Sequence, residues 1–223
     1  MALLIIGGYI LLTAVVYFAT RRMYKLLPSP FTTPVFLSTI IIIMVLVITG
    51  VPYSAYEPSK DVISYALGPA TVALAVPVYK NRKIIMKQGK NLAFSLVAGS
   101  TAAVLISLAL AQLFNITQQT STALSVKSAT VPIAMEIAAL KQGDMTLTAI
   151  FVMVTGLIGA MFGPRLLTLT KVSDPVSRGL AIGTIAHGIG TAHITSEGEI
   201  QGAVAGSAMA VAGVYLSFLF WLV

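Results

Sequence analysis

The stretch Thr122-Ala123-Leu124-Ser125-Val126-Lys127-Ser128-Ala129-Thr130-Val131-Pro132-Ile133-Ala134-Met135-Glu136-Ile137-Ala138-Ala139-Leu140 sets a lysine and a glutamate in an otherwise apolar frame. At mid-membrane each such charge costs at least about 2.5–3.5 kcal/mol, so Lys127 and Glu136 are expected to face a cavity, a partner or a substrate. Pro132 removes a backbone donor and, if the stretch is helical, frees the carbonyl of Ser128. Ser128 and Thr130 place hydroxyls beside the ammonium group. The bland alternatives are a lysine that snorkels to the surface or one that pairs with Glu136 as a structural bridge. How this short, broken segment meets a membrane decides the topology of everything after it.

The rest of the chain shares its apolar character. Of 223 residues, 57% are hydrophobic and 9% charged, and the mean hydropathy is +0.93. A soluble domain carries about a quarter charged residues, so an ordinary cytosolic globule and a disordered chain are both excluded. At about 20 apolar residues per crossing there is room for roughly seven or eight membrane segments. That leaves no separate catalytic domain, and no enzyme is expected. With no cysteine, disulfides, thiolate metal sites and cysteine nucleophiles are out. The net charge of +7 lies in short loops between apolar runs, as membrane orientation requires, so nucleic acid is not an expected partner. Met1-Ala-Leu-Leu-Ile-Ile lacks the charged region and cleavage site of a signal peptide and reads as the first retained span.

Eight apolar segments stand out. Residues 3–20, 34–51, 92–114, 146–162 and 202–223 are uninterrupted, while 62–78, 122–140 and 179–196 are short and broken by Gly, Pro or ionisable residues. Arg21, Arg22 and Lys25 place the first loop in the cytoplasm and the N-terminus outside; Lys80, Arg82, Lys83, Lys87 and Lys90 form the strongest inside signal. Residues 52–61, with Glu57, Lys60 and Asp61, read as an outer loop. Simple alternation then puts Arg165, Lys171 and Arg178 outside, against the charge rule. If 122–140 enters and leaves on one side, the conflict disappears, provided that protein buries its irregular backbone or it lines a wet cavity. The triplets within 34–114 and 146–223 then have opposite orientation and broken centres, an inverted repeat inside one transmembrane domain spanning 1–223. Eight plain spans with a weak charge bias are the alternative.

The other broken segments carry their own chemistry. In residues 67–77, Pro69 and Pro77 each remove a donor and Gly68 permits close backbone approach. Half-helix ends made in this way suit a small anion; the alternative is a kinked helix satisfied by its neighbours. The stretch Gly183-Thr184-Ile185-Ala186-His187-Gly188-Ile189-Gly190-Thr191-Ala192-His193 predicts a poor helix and a tight loop with exposed amides. His187 suits donation to a carboxylate or proton carriage. A metal on His187, His193, Glu197 and Glu199 is conceivable, but the spacing matches no HExxH-type pattern, and no metal or cofactor is expected. No nucleotide loop accompanies the glycines, and no hydrolase elbow accompanies Ser128. The small-residue face of Gly202, Gly206 and Gly213 is explained by helix packing.

With these segments together, the chain resembles the LrgB/CidB family of bacterial membrane proteins over nearly its whole length. The resemblance is carried by residues 67–79, by Lys127-Ser128-Ala129-Thr130-Val131-Pro132-Ile133-Ala134, and by 183–192 with its Ala186-His187-Gly188-Ile189-Gly190-Thr191-Ala192 core. Ala129 stands where a larger or hydroxylated residue is expected, and Val78 where leucine is usual. The resemblance implies either of two roles. One is an antiholin-like regulator of murein hydrolase activity and lysis, acting with a smaller LrgA/CidA partner. The other is a carrier of small 2-oxo or 2-hydroxy monocarboxylates, since plant relatives export glycolate and glycerate and some bacterial members are linked to pyruvate uptake. The expectation is an all-α polytopic carrier in the bacterial cytoplasmic (inner) membrane. Lys127 pairs with the carboxylate, and Ser128, Thr130 and Thr71 bond its oxygens. Pro69 and Pro132 supply the breaks, and His187, Gly188, Gly190 and Thr191 complete the cage. Glu136 or His187 is the proton-coupling candidate, with sodium as the other ion. Family habit and the small-residue last span point to a homodimer.

Overall fold

The computed structural model describes residues 2–66, 69, 72–73 and 75–222. All the regular structure among them is helical: eleven α-helices and one 3-10 turn. Four stretches are long and apolar enough to cross a membrane, namely Leu4–Leu26, Gly89–Leu113, Met145–Leu169 and Glu199–Leu222. The chain divides into two compact units, Met1–Leu74 and Ala75–Val223.

The first unit holds α1 (Ala2–Leu26), a 3-10 turn (Pro30–Thr32), α2 (Pro34–Ile48) and α3 (Tyr53–Tyr65). Pro28, which cannot continue a helix, follows α1. Pro34 starts α2, where its missing N–H costs nothing, and Gly50 at φ 66° follows its end. At 15 residues α2 spans about 22 Å, less than the hydrocarbon core, so 34–51 makes a shorter helix than expected. Residues 53–61, expected as part of an outer loop, belong to α3. That helix docks on α1 by Tyr56 against Tyr9, by a 2.9 Å bond between the Tyr56 and Thr13 hydroxyls, and by Ser59 donating to the Ile6 carbonyl. The expectation for 62–78 falls on the end of α3, on the helix Ala75–Lys80 that opens the second unit, and partly outside the described residues, so no single segment is seen there.

The second unit runs α4 (Ala75–Lys80), α5 (Arg82–Lys87), α6 (Gly89–Leu113), α7 (Gln118–Ser125), α8 (Val131–Leu140), α9 (Met145–Leu169), α10 (Pro175–Ile194) and α11 (Glu199–Leu222). Asp144 caps α9 by accepting from the Leu147 amide, and Asp174 caps α10 by accepting from the amide and hydroxyl of Ser177. Buried Val104, Val126, Ala129, Ala134, Ile137, Val152 and Leu216 form the main core, joining α6, α8, α9, α11 and the link before α8.

Two segments double back. Gly143, beyond α8, returns to α7 so closely that a Cβ on it would meet Thr122 Cγ2 at 2.9 Å. A straight continuation would leave those residues about 30 Å apart. Hairpin 1 is therefore α7, an irregular tip at 126–130, and α8. In α10 only His187 leaves helical geometry, at φ 38° and ψ −134°. Beyond it the chain turns back. A Cβ on Gly190 would strike Ala186 and Ile182, and Arg178 meets Glu197 at 2.7 Å. Hairpin 2 is this folded α10 with its base at 195–198.

This overturns the expectation of a loop at 183–193: both arms are helical. Tertiary contact overrides the poor propensity of Gly, because Gly179 lies against the Gln201 backbone and Gly183 against that of Ala205. It also shows that 179–196 doubles back on itself instead of forming one straight helix.

Contacts fix the chain directions within this unit. Leu96 packs with Ala208 and Ala212, Thr101 bonds Tyr215 and Val104 shares a cluster with Leu216, so α6 and α11 run parallel. Gly179, Gly183 and Gly188 meet Gln201, Ala205 and Met209 in turn, so the first arm of hairpin 2 also runs parallel to α11. Gly163, Gly159 and Gly156 of α9 meet Ile182, Ala186 and His187, so α9 runs the opposite way. Hairpin 1 follows the end of α6 and hairpin 2 follows the end of α9. The two hairpins thus enter from opposite ends of the bundle.

Candidate functional site at two facing hairpin tips

Hairpin 1 is tipped by Val126, Lys127, Ser128, Ala129 and Thr130. Val126, Ser128 and Ala129 are buried, while Lys127 and Thr130 are half-buried. Thr130 has extended backbone and stands before α8, whose Pro132 lies in the first turn, so the amide-rich, positive end of α8 points out of the tip. The Lys127 ammonium donates to Ser107 Oγ of α6 at 2.5 Å, and that hydroxyl donates to the Ala103 carbonyl at 2.7 Å. Among the described residues no ion pair joins Lys127 to Glu136, which is exposed, as is Pro132. The structural-bridge alternative therefore falls.

Hairpin 2 is tipped by His187 and Gly188. His187 is buried, and its Nε2 lies 2.8 Å from the Val152 carbonyl. A carbonyl only accepts, so Nε2 carries the hydrogen. That bond helps hold a non-glycine residue in the left-handed region, a strained conformation found mostly where the surroundings impose it. Gly188 is half-buried, its missing Cβ about van der Waals distance from Met209.

Val152 of α9 joins the two tips. Its side chain packs in one cluster with Val126 and Ala129, and its carbonyl accepts from His187. The structure thereby brings the Lys127–Thr130 tip and the His187–Gly188 tip to one point on α9. Gly190 and Thr191 lie on the returning arm of hairpin 2, Thr191 fully buried. Pro132 is exposed in the first turn of α8 beside the tip, and Glu136 stands a turn further on, on the exposed side of that helix. Pro69 is helical and exposed in the first unit, and Thr71 lies outside the described residues. Of the groups weighed for a metal, His187 is engaged by Val152 and Glu197 by Arg178.

A model of the LrgB-like family matches residues 13–223. The chain belongs to that family. It is 34% identical over 209 residues to the uncharacterized protein YxaC of Bacillus subtilis (strain 168), covering 94% of this chain and 91% of YxaC. It is 28% identical over 203 residues to the uncharacterized protein YwbG of the same organism, covering 91% of this chain and 90% of YwbG. No solved structure matches. The LrgB-like match covers both hairpins and the whole second unit.

Two features of this LrgB-like chain escaped the sequence. The first is the base of hairpin 2. Arg178 is 8% exposed and donates through Nε and Nη2 to both oxygens of Glu197, through Nη2 to the Pro164 carbonyl, and through Nη1 to Val172 and Thr168. In sequence Arg178 was only an orientation charge; the signal was its spacing from Glu197, which gains meaning once the segment doubles back. The second is Ser107, a serine in an apolar helix with nothing in its surroundings to set it apart. At the rim, Asp174 is held below the usual carboxylate range by the Ser177 hydroxyl and amide.

Proposed function

We propose that this protein is a secondary carrier of small monocarboxylates bearing a 2-oxo or 2-hydroxy group, such as glycolate, glycerate, lactate or pyruvate. The observation that carries this reading is the meeting of two oppositely entering hairpin tips at Val152, one of them bearing a shielded ammonium group. A carboxylate at the Lys127 tip gains a cation, the Ser128 and Thr130 hydroxyls and the positive end of α8. The His187–Gly188 tip closes the other side, and interrupted helices meeting around a small ion are how such carriers hold their cargo.

The opposed hairpins support an inverted repeat. Because 179–196 doubles back, its units are drawn as α6 with hairpin 1 and α9 with hairpin 2, in place of the triplets at 34–114 and 146–223. This arrangement puts the basic residues at 80–90 and those at 165–178 at the same end of the bundle, which we take as cytoplasmic. The setting is the bacterial inner membrane, with the N-terminus outside. Glu136, being exposed, is the weaker proton-coupling candidate and His187 the stronger. A homodimer and an LrgA/CidA-type partner belong to the same reading.

Purified protein in vesicles tests it. A carrier gives saturable, acid-selective counterflow of labelled glycolate. Unsaturated leak of unrelated solutes would instead establish the lysis-regulating pore that the family resemblance also implies. Transport without any second protein would show the partner to be dispensable.

A further inference from the structure

An apolar groove opens on the second unit between α6, the first arm of hairpin 2 and α11, at the end where α6 begins. Leu96, Val204 and Ala208 are buried beneath it, half-buried Leu180 flanks it, and exposed Val211 stands at its side. Ser207 brings the one hydroxyl among the lining residues, and it donates to the Ala203 carbonyl at 3.0 Å. The lining thus holds no side-chain donor waiting for an acceptor, and it suits a hydrocarbon.

The mouth of the groove is strongly basic. Ile85 of α5 and Gly89, the first residue of α6, line it there, and a Cβ on Gly89 would meet nothing within 4 Å. Lys90 follows Gly89 directly and Lys87 precedes it by two residues, so their Cα atoms stand within about 4 and 7 Å of it. Lys80, Arg82 and Lys83 bring the cations of residues 80–90 to five, all exposed. No acid occurs between Asp61 and Glu136, and among the described residues no ion pair involves these five. In the loops beside hairpin 2, Arg165, Lys171 and Arg178 are matched by Asp174, Glu197 and Glu199, so the excess positive charge at this end belongs to the mouth. Tyr79 and Met86, 67% and 77% exposed, lie among the lysines, with the Arg82 guanidinium 4.0 Å over the Tyr79 ring. Apolar and aromatic side chains interleaved with lysines mark the level of lipid headgroups.

We infer that this groove holds an acyl chain of one anionic phospholipid, with the lipid phosphate at Lys87 and Lys90. Lipid tails are as apolar as the groove, so the chain gains little by leaving the bilayer. It fixes where the lipid sits, while the headgroup charge at the basic mouth decides the affinity. A second copy of this chain is the poorer occupant. A two-fold contact through the groove would bring two sets of five cations to one face, with no acid to separate them. The inference goes beyond the carrier reading and uses none of the groups at the hairpin tips.

The test is native mass spectrometry of the purified protein in neutral detergent, titrated with palmitoyl-oleoyl phosphatidylglycerol or with phosphatidylcholine of the same chains. The first phosphatidylglycerol should bind at least about tenfold more tightly than the first phosphatidylcholine. Lys87→Gln combined with Lys90→Gln should lose that preference, and Gly89→Leu, which fills the mouth, should lose the tight lipid. Arg21→Gln combined with Arg22→Gln, in the first unit, should keep both. Equal retention of the two lipids overturns the site, as does a preference that survives the lysine pair or falls as far in the arginine pair. Glycerol phosphate competing as well as the whole lipid would reveal an anion site without a chain, and also overturns it. A Gly89→Leu protein that goes from dimer to monomer while keeping its lipid gives the groove to a second copy instead.

Discussion

Lys127 donates to Ser107, which relays the bond to a backbone carbonyl, and in the carrier proposed above the remaining protons of the ammonium meet the anion. Replacing it with alanine is expected to abolish uptake in vesicles while the protein still inserts in the membrane. Ser107→Ala should raise the KM for uptake at least about tenfold, since a hydrogen bond to a charged group is worth roughly 1.5–3 kcal/mol. His187 makes a different test possible, because its backbone is strained and its ring is bonded. His187→Ala should cost about 1–3 kcal/mol in denaturation through the lost bond to the Val152 carbonyl and the space left by the buried ring. His187→Gly should recover about 1 kcal/mol of that loss by relieving the positive φ. Lys127 was legible in the sequence because a charge in an apolar run demands a reason. Ser107 and the Val152 carbonyl were not, since a helical serine and a backbone oxygen carry no local signal.

Among the elements, the hairpins are held unequally. Hairpin 1 closes by the small contact of Gly143 with Thr122, whereas hairpin 2 closes on a bidentate ion pair tied also to the end of α9. Arg178→Ala should lower stability by about 2 kcal/mol, because the buried guanidinium also holds the Pro164 and Val172 carbonyls, while Glu197, being exposed, is readily solvated once alone. A double-mutant cycle with Glu197→Ala should show strong coupling. Gly183→Val should undock hairpin 2, because its Cβ would run into the Ala205 backbone. The Asp174 cap stabilises α10 at neutral pH and is lost as acid carries the carboxyl through its depressed pKa. The doubling back of 122–140 was legible from the charges at Arg165 and Lys171 alone. That of 179–196 was not: its glycines read as loop formers, and only their seats against α11 make both arms helical. Likewise α3 was hidden by the polar residues of 52–61, which suggest a loop until Tyr56 and Ser59 are seen against α1.

At the scale of the second unit, α6 and α11 run one way and α9 the other, and a hairpin enters from each end. That arrangement makes the site a meeting of two tips, and it depends on neither hairpin crossing. The absence of native cysteine makes sided labelling clean. Exposed Thr117 and Gln142 flank hairpin 1, and exposed Ser173 and Ser196 flank hairpin 2. Single cysteines at these four positions, treated with an impermeant thiol reagent on intact and on inverted vesicles, measure the topology directly. Thr117→Cys and Gln142→Cys should label together from one face, and Ser173→Cys and Ser196→Cys together from the other. Labelling of either pair from opposite faces would show that hairpin to be a crossing, and the facing-tip site would not exist.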